Sequence, residues 1–418
     1  MRNGSIRLLH RNPALRALVA SRLVSSAGTW LAYVALAVDV FERTRSSAWV
    51  SAVLLADFVP SVAVASLAGP WLDRIPRRTL LVGSELAAGL VFAALPFAPS
   101  AAAVVGLALV AGIASAVYYP TARAAMPELV TEDELPQANS LSQTAATAGL
   151  AAGPVLAGLL VARSGVALAY ELNAVSFAVS AALLARLPAP SRAAEARARA
   201  RRGRRTPLDG IRLFLRPGTA RTVISMAFLA GLGGAVINVG EIFLAREAFH
   251  SGTVGFGLLA SGSGTGLVVG SMLAARIEVA TAGRTCRLGL LAITLGFGAA
   301  ALAPSVGVAA ACAFVGGVGN AVFLASATLL VQQSTDEANR GHAFAVFDAA
   351  GSIAVGIGMV AGGVLVASLG ARGAWLTAAA VVAVAAAGPG LRRRRAGTAA
   401  LGHARGAAEG LHGVGVAS

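Results

Sequence analysis

Residues 47–98, SAWVSAVLLADFVPSVAVASLAGPWLDRIPRRTLLVGSELAAGLVFAALPFA, decide the fold. Two largely apolar runs, 47–72 and 79–98, are each long enough to cross about 30 Å of hydrocarbon as a helix. A short loop holding Asp73, Arg74, Arg77 and Arg78 joins them. Lipid offers backbone N–H and C=O groups no partner, so such runs satisfy themselves only as helices. Working outward at the same length scale, the remaining spans fall near 14–41, 101–127, 137–163 and 166–187. In the second half they fall near 219–245, 253–277, 285–303, 306–333, 341–369 and 372–391. The fold class expected is an all-α membrane protein with twelve transmembrane helices.

Composition points the same way. With 56% hydrophobic and 13% charged residues, the 418-residue chain has too little polar surface to face water, so lipid is its main solvent. Arg2, Arg7, Arg11 and Arg16 ahead of an apolar stretch imitate a secretory signal. Arg22 interrupts the would-be apolar region and the stretch runs on to Val40, so a retained first helix is expected. All 34 basic residues are arginine. The net charge of +15 sits in short segments between apolar runs, which suits membrane orientation better than a nucleic-acid groove. Cys286 and Cys312 have neither CxxC spacing nor neighbouring histidines, so no metal site, disulfide framework or cofactor is expected. No Lys exists to complete a phosphate-binding loop, which removes ATP as the energy source.

Arg74, Arg77, Arg78, the 188–218 stretch, Arg276, Arg284, Arg287 and Arg392 to Arg395 fall on one side of the span map, with the N-terminus. By the positive-inside rule that side is cytoplasmic, and an even span count puts both termini there. Arg43, Arg45, Arg163, Arg246 and Arg372 are minor exceptions. The organisation expected is a six-helix bundle over 1–187, a cytoplasmic Arg-rich linker over 188–218, a second bundle over 219–391 and a disordered cytoplasmic tail over 392–418. The linker is a solvated tether that fixes topology or a contact for anionic membrane lipids. The halves resemble one another: residues 157–165, AGLLVARSG, align with 362–370, GGVLVASLG, and Leu54-Leu55-Ala56 aligns with Leu258-Leu259-Ala260. Such a parallel repeat suits two bundles rocking about a shared axis.

Two motifs carry mechanism. Gly69-Pro-Trp-Leu-Asp73-Arg74-Ile-Pro-Arg77-Arg78 resembles the signature G-x-x-x-D-R-x-x-R-R of the major facilitator superfamily, known as motif A. Its glycine permits close helix approach, its aspartate can face a helix N-terminus, and its arginines can pair with acids across the seam. The resemblance implies a conformational latch made of Gly69, Asp73, Arg74, Arg77 and Arg78. Span five holds Gly149-Leu-Ala-Ala-Gly153-Pro154-Val-Leu-Ala157-Gly158, similar to the antiporter signature G-x-x-x-G-P-x-x-G-G, motif C, with Ala157 the one departure. Small residues four apart let helices pack closely, and Pro154 removes a helix hydrogen bond, so Gly149, Gly153, Pro154 and Gly158 are expected to build a hinge or a leak-tight seam. Arg11-Asn12-Pro13, the stretch from Tyr119 to Val130 and Ala138-Asn139-Ser140 resemble the exporter branch that includes macrolide efflux proteins and the enterobactin exporter. Where motif B of proton-coupled relatives places an arginine in span four, this chain has Ala108.

Ionisable groups in apolar spans are costly and default to functional suspects. Asp57, read as about six residues inside span two and some 9 Å below its outer end, is the first choice for a proton or substrate site. Asp39 and Glu241 are expected at matching outer ends of spans one and seven, forming an acidic mouth, with Tyr33 and Asn238 lining the cavity. Glu85 and Asp348 are expected near the cytoplasmic ends beside loop arginines, forming a cytoplasmic gate with Arg123. The function expected is proton-coupled efflux of a small organic molecule, such as a drug in multidrug resistance, by a monomer alternating its access. Export of a siderophore or other natural product is the rival, and import the weaker alternative. A membrane-embedded lipid-modifying enzyme would need convergent side chains at one depth. The histidines, His10, His250, His342, His403 and His412, lie outside or at the edges of the spans, so no catalytic residue is assigned.

Overall fold

The computed structural model describes residues 2–67, 75–131, 133–188, 218–335 and 340–388. Among these there is no strand. The helices are α1 (Arg2–Arg11), α2 (Pro13–Thr44), α3 (Ser47–Leu67), α4 (Arg77–Ala94), α5 (Ala101–Leu129), α6 (Leu135–Leu184), α7 (Thr219–Phe243), α8 (Gly252–Ala274), α9 (Ala282–Leu302), α10 (Val306–Ser334) and α11 (Arg340–Ala387). A 3₁₀ turn, Leu95–Phe97, follows α4, and a π-helical turn, Leu244–Ala248, follows α7.

Nine described helices are long and apolar enough to cross a membrane. Two of these, α6 and α11, break at Gly165 and Gly370 and cross twice. The shorter apolar helix in α3 adds the twelfth crossing. The return of α6 is visible in its packing: Ala138 from its first arm and Leu184 from its second share one apolar cluster with Leu15, Leu81 and Met126. In α11, residues 351 and 354 of the first arm and 378 and 382 of the second meet α7 at Gly231 and Gly233. Pro13, Arg77, Thr219 and Ala282 therefore begin helices on one face, called here the N-terminal face, and the 45–46, 98–100, 165, 249–251, 303–305 and 370 turns lie on the far face.

The two halves repeat at the level of backbone conformation. Gly165 and Gly370, 205 residues apart, have φ/ψ of 75/179° and 70/174°. At the same spacing, Arg45 and His250 are, among the described residues, the two non-glycine residues with positive φ, at 52° and 51°. Ser100 and Ser305 cap α5 and α10 at that spacing too, each accepting the N–H three residues on. Packing repeats as well. In the first bundle α2 lies on α6, α3 on α5, and α4 on both α5 and α6; α7 lies on α11, α8 on α10, and α9 on both α10 and α11. Between bundles α6 meets α8 and α11 meets α3, which are the same contact related by a pseudo-twofold. This is the two-bundle, twelve-helix arrangement expected from the sequence.

Glycine is required at 165 and 370 because the conformation there is one that L side chains scarcely enter. Gly165→Ala and Gly370→Ala are each expected to cost about 1–3 kcal/mol, although a Cβ at either place would meet nothing within 4 Å. Thermal unfolding of the purified variants checks this, with Gly307→Ala, at an equally open helical glycine without positive φ, as the neutral comparison.

Of the linker expected over 188–218 only the end residues Pro188 and Gly218 are described, and the tail expected over 392–418 lies outside the described residues, as do Gly69, Asp73 and Arg74 of motif A.

Candidate functional site: a cavity between two bundles

The far face is where the bundles meet. Motif C serves two neighbours. A Cβ at Gly149 would sit 2.6 Å from Ser26 Oγ and one at Gly153 2.7 Å from Trp30 Cβ, so these two glycines let α2 lie against α6. Ser26 Oγ donates to Ala146 O at 2.6 Å in the same contact. Gly158 and Pro154 face α8. A Cβ on Gly257 would lie 2.4 Å from Pro154 O, and one on Gly158 2.9 Å from Thr253 O. Pro154 has no N–H to give the Leu150 carbonyl, and Gly264 packs its Cα side against that oxygen. Val155 N–H donates to Ser261 Oγ at 2.9 Å across the seam. The symmetry-related seam joins α3 and α11, where Ser47 Oγ donates to Gly363 O at 2.7 Å.

Above these seams, Arg246 on the π turn donates to Glu42 Oε1 and to Thr253 Oγ1, each at 2.7 Å, and Phe41 meets Phe243 edge-on at 5.1 Å between centroids. The sequence reading noted Arg246 only as an exception to the charge asymmetry and did not name Glu42. Their signal was faint, an Arg on the sparsely charged side and a Glu at a helix end, and only the fold makes them partners. On the N-terminal face, among the described residues, no ion pair crosses between bundles. Arg123 on α5 and Asp348 on α11 lie within electrostatic reach of one another, both exposed. Among the described residues these contacts between the bundles lie toward the far face, and an opening lined by Arg22, Tyr119 and Arg123 lies toward the N-terminal face.

Farther along α2 toward the far face, Tyr33 stands within electrostatic reach of both Glu241 from α7 and Asp57 from α3. Its ring also contacts Trp30 at 5.5 Å and Phe256 of α8 at 6.3 Å. Asp57 is solvent-exposed although protein surrounds it, the condition of a side chain lining an internal opening. Its backbone is buried against α5, where a Cβ at Gly112 would strike Asp57 O at 2.6 Å. Since α3 begins at Ser47, Asp57 is ten residues in, about 15 Å from the far end rather than 9 Å. Glu241 is 5% exposed. Gly234, Asn238 and Glu241 share one stripe of α7, about 100° round the helix from the side that Gly233 and Gly240 press onto the second arm of α11. Asn238 is exposed.

Two sequence expectations are corrected. The acidic mouth of Asp39 and Glu241 does not form. At the 205-residue spacing Asp39 corresponds to Leu244, not Glu241, so the two acids turn to different neighbours. Asp39, 4% exposed, accepts from Arg43 Nε at 2.6 Å and Tyr170 Oη at 3.0 Å inside its own bundle, and Arg43 also donates to Ala98 O at 3.0 Å. This network ties α2 to α6 and to the turn after α4. Asp39→Asn is expected to destabilise the protein by about 1–3 kcal/mol, the cost of leaving buried partners unmatched, while transport per folded molecule is kept; thermal unfolding alongside flux normalised to folded protein separates the two.

Among the described residues Glu85 likewise pairs with no loop arginine. It is 2% exposed, accepts from Ser25 Oγ at 3.3 Å, and has Ser180 of α6 and Arg22 of α2 close by. The α4 residue that holds the loop side is Arg77 of motif A, whose Nη1 donates to Ala124 O and to Glu128 Oε1 on α5. Ala108, where a motif B arginine would stand, is fully buried against neighbouring helices and leaves no room for one. A cation within an apolar span of this bundle is Arg22, whose guanidinium lies 4.4 Å from the Tyr119 ring centroid. The sequence showed Arg22 as a charge within an apolar run, without the tyrosines that make it a site. Among the described residues no His, Cys, Asp and Glu group could hold a metal ion.

Comparison with known proteins agrees with this geometry. Residues 18–239 and 223–411 each match the family model described as Major Facilitator Superfamily. The chain is 24% identical over 384 residues to the uncharacterized MFS-type transporter YfiS of Bacillus subtilis, covering 88% of this chain and 90% of that protein. It is 29% identical over 192 residues to the enterobactin exporter EntS of Shigella boydii, an alignment spanning 44% of this chain and 46%, or about half, of the exporter. Its fold is similar to the nucleoside transporter NupG, with a TM-score of 0.71 at 16% identity over 90% of this chain and 97% of that one. It is also similar to a bacterial homolog of the human lysosomal transporter Spinster in an inward-facing, occupied conformation, with a TM-score of 0.68 at 15% identity over 89% of this chain and 94% of that one. Two bundles that repeat one packing scheme, each matched by the same family model, make this chain an integral membrane transporter, not an enzyme, and a member of the Major Facilitator Superfamily.

Proposed function

We propose that this transporter exports a small organic molecule across the cell membrane by alternating access, exchanging it for protons at carboxylates of the central cavity. The carrying observation is that Asp57 from the first bundle and Glu241 from the second both lie within electrostatic reach of Tyr33, whose ring packs on Phe256 of the second bundle. A carboxylate between two rocking bundles can exchange a proton with either side as the opening alternates. Motif C at the α6–α8 seam, and the export named for the relative EntS, support outward direction. The predominance of arginine on the N-terminal face supports a cytoplasmic placement of that face and of both termini.

In this reading Gly69, Asp73, Arg74, Arg77 and Arg78 latch the N-terminal face when it closes, and Arg123 draws toward Asp348 as the bundles approach. Glu42 and Arg246 hold the opposite face shut meanwhile. The test is transport in inside-out vesicles with an imposed proton gradient: uphill substrate accumulation is expected and should vanish when the gradient is collapsed. Accumulation indifferent to the gradient would remove proton exchange from the proposal. Siderophore or other natural-product export is the rival for substrate, and siderophore-secretion assays beside drug-susceptibility assays on a deletion strain separate them.

A further inference from the structure

We infer that the N-terminal-face cavity of the first bundle is a binding site for an organic monoanion carrying a flat aromatic ring, held between Arg22 and Arg123 and stacked on Tyr119. The inference deepens the proposed export reading by naming the substrate class that its entry site selects.

The cavity is about 390 Å³, lined by residues of α2, α5 and the first arm of α6, a volume suited to a small organic molecule. Its lining contains two guanidiniums and no carboxylate. Arg22 lies with its guanidinium carbon 4.4 Å from the Tyr119 centroid and 5.9 Å from that of Tyr118. A guanidinium carries five N–H donors, so contact with Tyr119 leaves donors for a planar oxyanion. Among the described residues neither Arg22 nor Arg123 makes a salt bridge. Glu85, within electrostatic reach of Arg22, is buried in the bundle and is not part of the lining. Tyr119 is 39% exposed and presents ring surface to the opening. Asn139, Ser140 and Gln143 on α6 supply neutral hydrogen-bonding groups along the opposite wall. A cation would meet two like charges here, and a neutral molecule would leave both guanidiniums without the salt bridge that neither makes among the described residues. A carboxylate answers both, and bidentate pairing with arginine adds geometric selectivity.

The test uses the full-length protein in nanodiscs, titrated calorimetrically with 2-naphthoate, 2-naphthamide and 2-naphthylmethylammonium, which share a ring and differ in charge. The naphthoate is expected to bind at least about tenfold more tightly than the amide, the step that one charge-assisted pair supplies, with the ammonium weakest. Arg22→Gln is expected to erase that order, Arg22→Lys to restore part of it, and Arg123→Gln to weaken naphthoate binding severalfold. If the wild-type protein binds the amide or the ammonium as tightly as the naphthoate, the site is overturned, even if the Arg22 variants do not fold. Equal naphthoate affinity in monodisperse Arg22→Gln overturns it too. The charge order is independent of the vesicle experiment: proton-indifferent efflux with the order intact removes the coupling and leaves the anion site standing.

Discussion

Asp57→Asn is expected to abolish uphill, gradient-driven efflux, a loss of about a hundredfold or more, the scale on which removal of a positioned proton carrier is felt. The substitution is nearly isosteric, and the side chain it replaces is exposed to the opening with its backbone already fixed against Gly112. Folding and membrane insertion are therefore expected to survive. An amide cannot load and release a proton, but it leaves Tyr33, Arg22 and the cavity shape intact, so substrate exchange between equal concentrations on the two sides of the membrane should continue. The measurement is paired: proton flux with a pH-sensitive dye during driven efflux, and radiolabelled counterflow without a gradient. Loss of both would make Asp57 a substrate contact instead, and retention of driven efflux would remove it from the mechanism. Glu241→Gln is the companion, because it changes the second acid beside Tyr33 from the opposite bundle.

The second large effect is expected at the α6–α8 seam. Gly257→Leu places its first side-chain atom where a Cβ would be 2.4 Å from Pro154 O and 3.2 Å from Gly158 Cα. These are backbone atoms that cannot swing aside, so the seam must open for the residue to fit. Overpacking of this kind costs about 1–3 kcal/mol. The cost falls on the state with the far face closed, so the population of that state should drop by about fivefold to a hundredfold relative to the far-open state. The measurement is labelling of Asn238→Cys, in a background lacking Cys286 and Cys312, by an impermeant maleimide applied from the far side. Labelling should rise strongly in Gly257→Leu and stay at the parent level in Gly307→Ala, where nothing lies within 4 Å. Parent-level labelling in Gly257→Leu would mean that the seam does not close the far face.

Twelve spans were readable because hydrocarbon imposes one rule on every backbone group, and the rule leaves a length signature at each crossing. The α6 and α11 joints were readable for a related reason: the aligned segments ending at Gly165 and Gly370 share a glycine that the reversal demands. Motif C was legible as close packing because glycine spacing on a helix fixes a face. Which neighbour each glycine serves was not, since Gly153 turns to α2 and Gly158 to α8 across a distance no local pattern records. The acids were visible as costly groups in apolar runs, but their roles were not. Asp39 and Glu241 look alike as helix-end carboxylates, and the difference lies in Tyr170, which arrives from 131 positions along the chain.

The sequence by itself determined that this chain lives in lipid, crosses it twelve times, and repeats one bundle after another, because hydrophobic length and charge placement are local properties. Only the tertiary structure decided which charges are scaffold and which face the opening. Burial and partnership depend on what lies across from a side chain, and in a bundle of twelve helices the residue across the way is set by helix rotation and by contacts hundreds of positions apart.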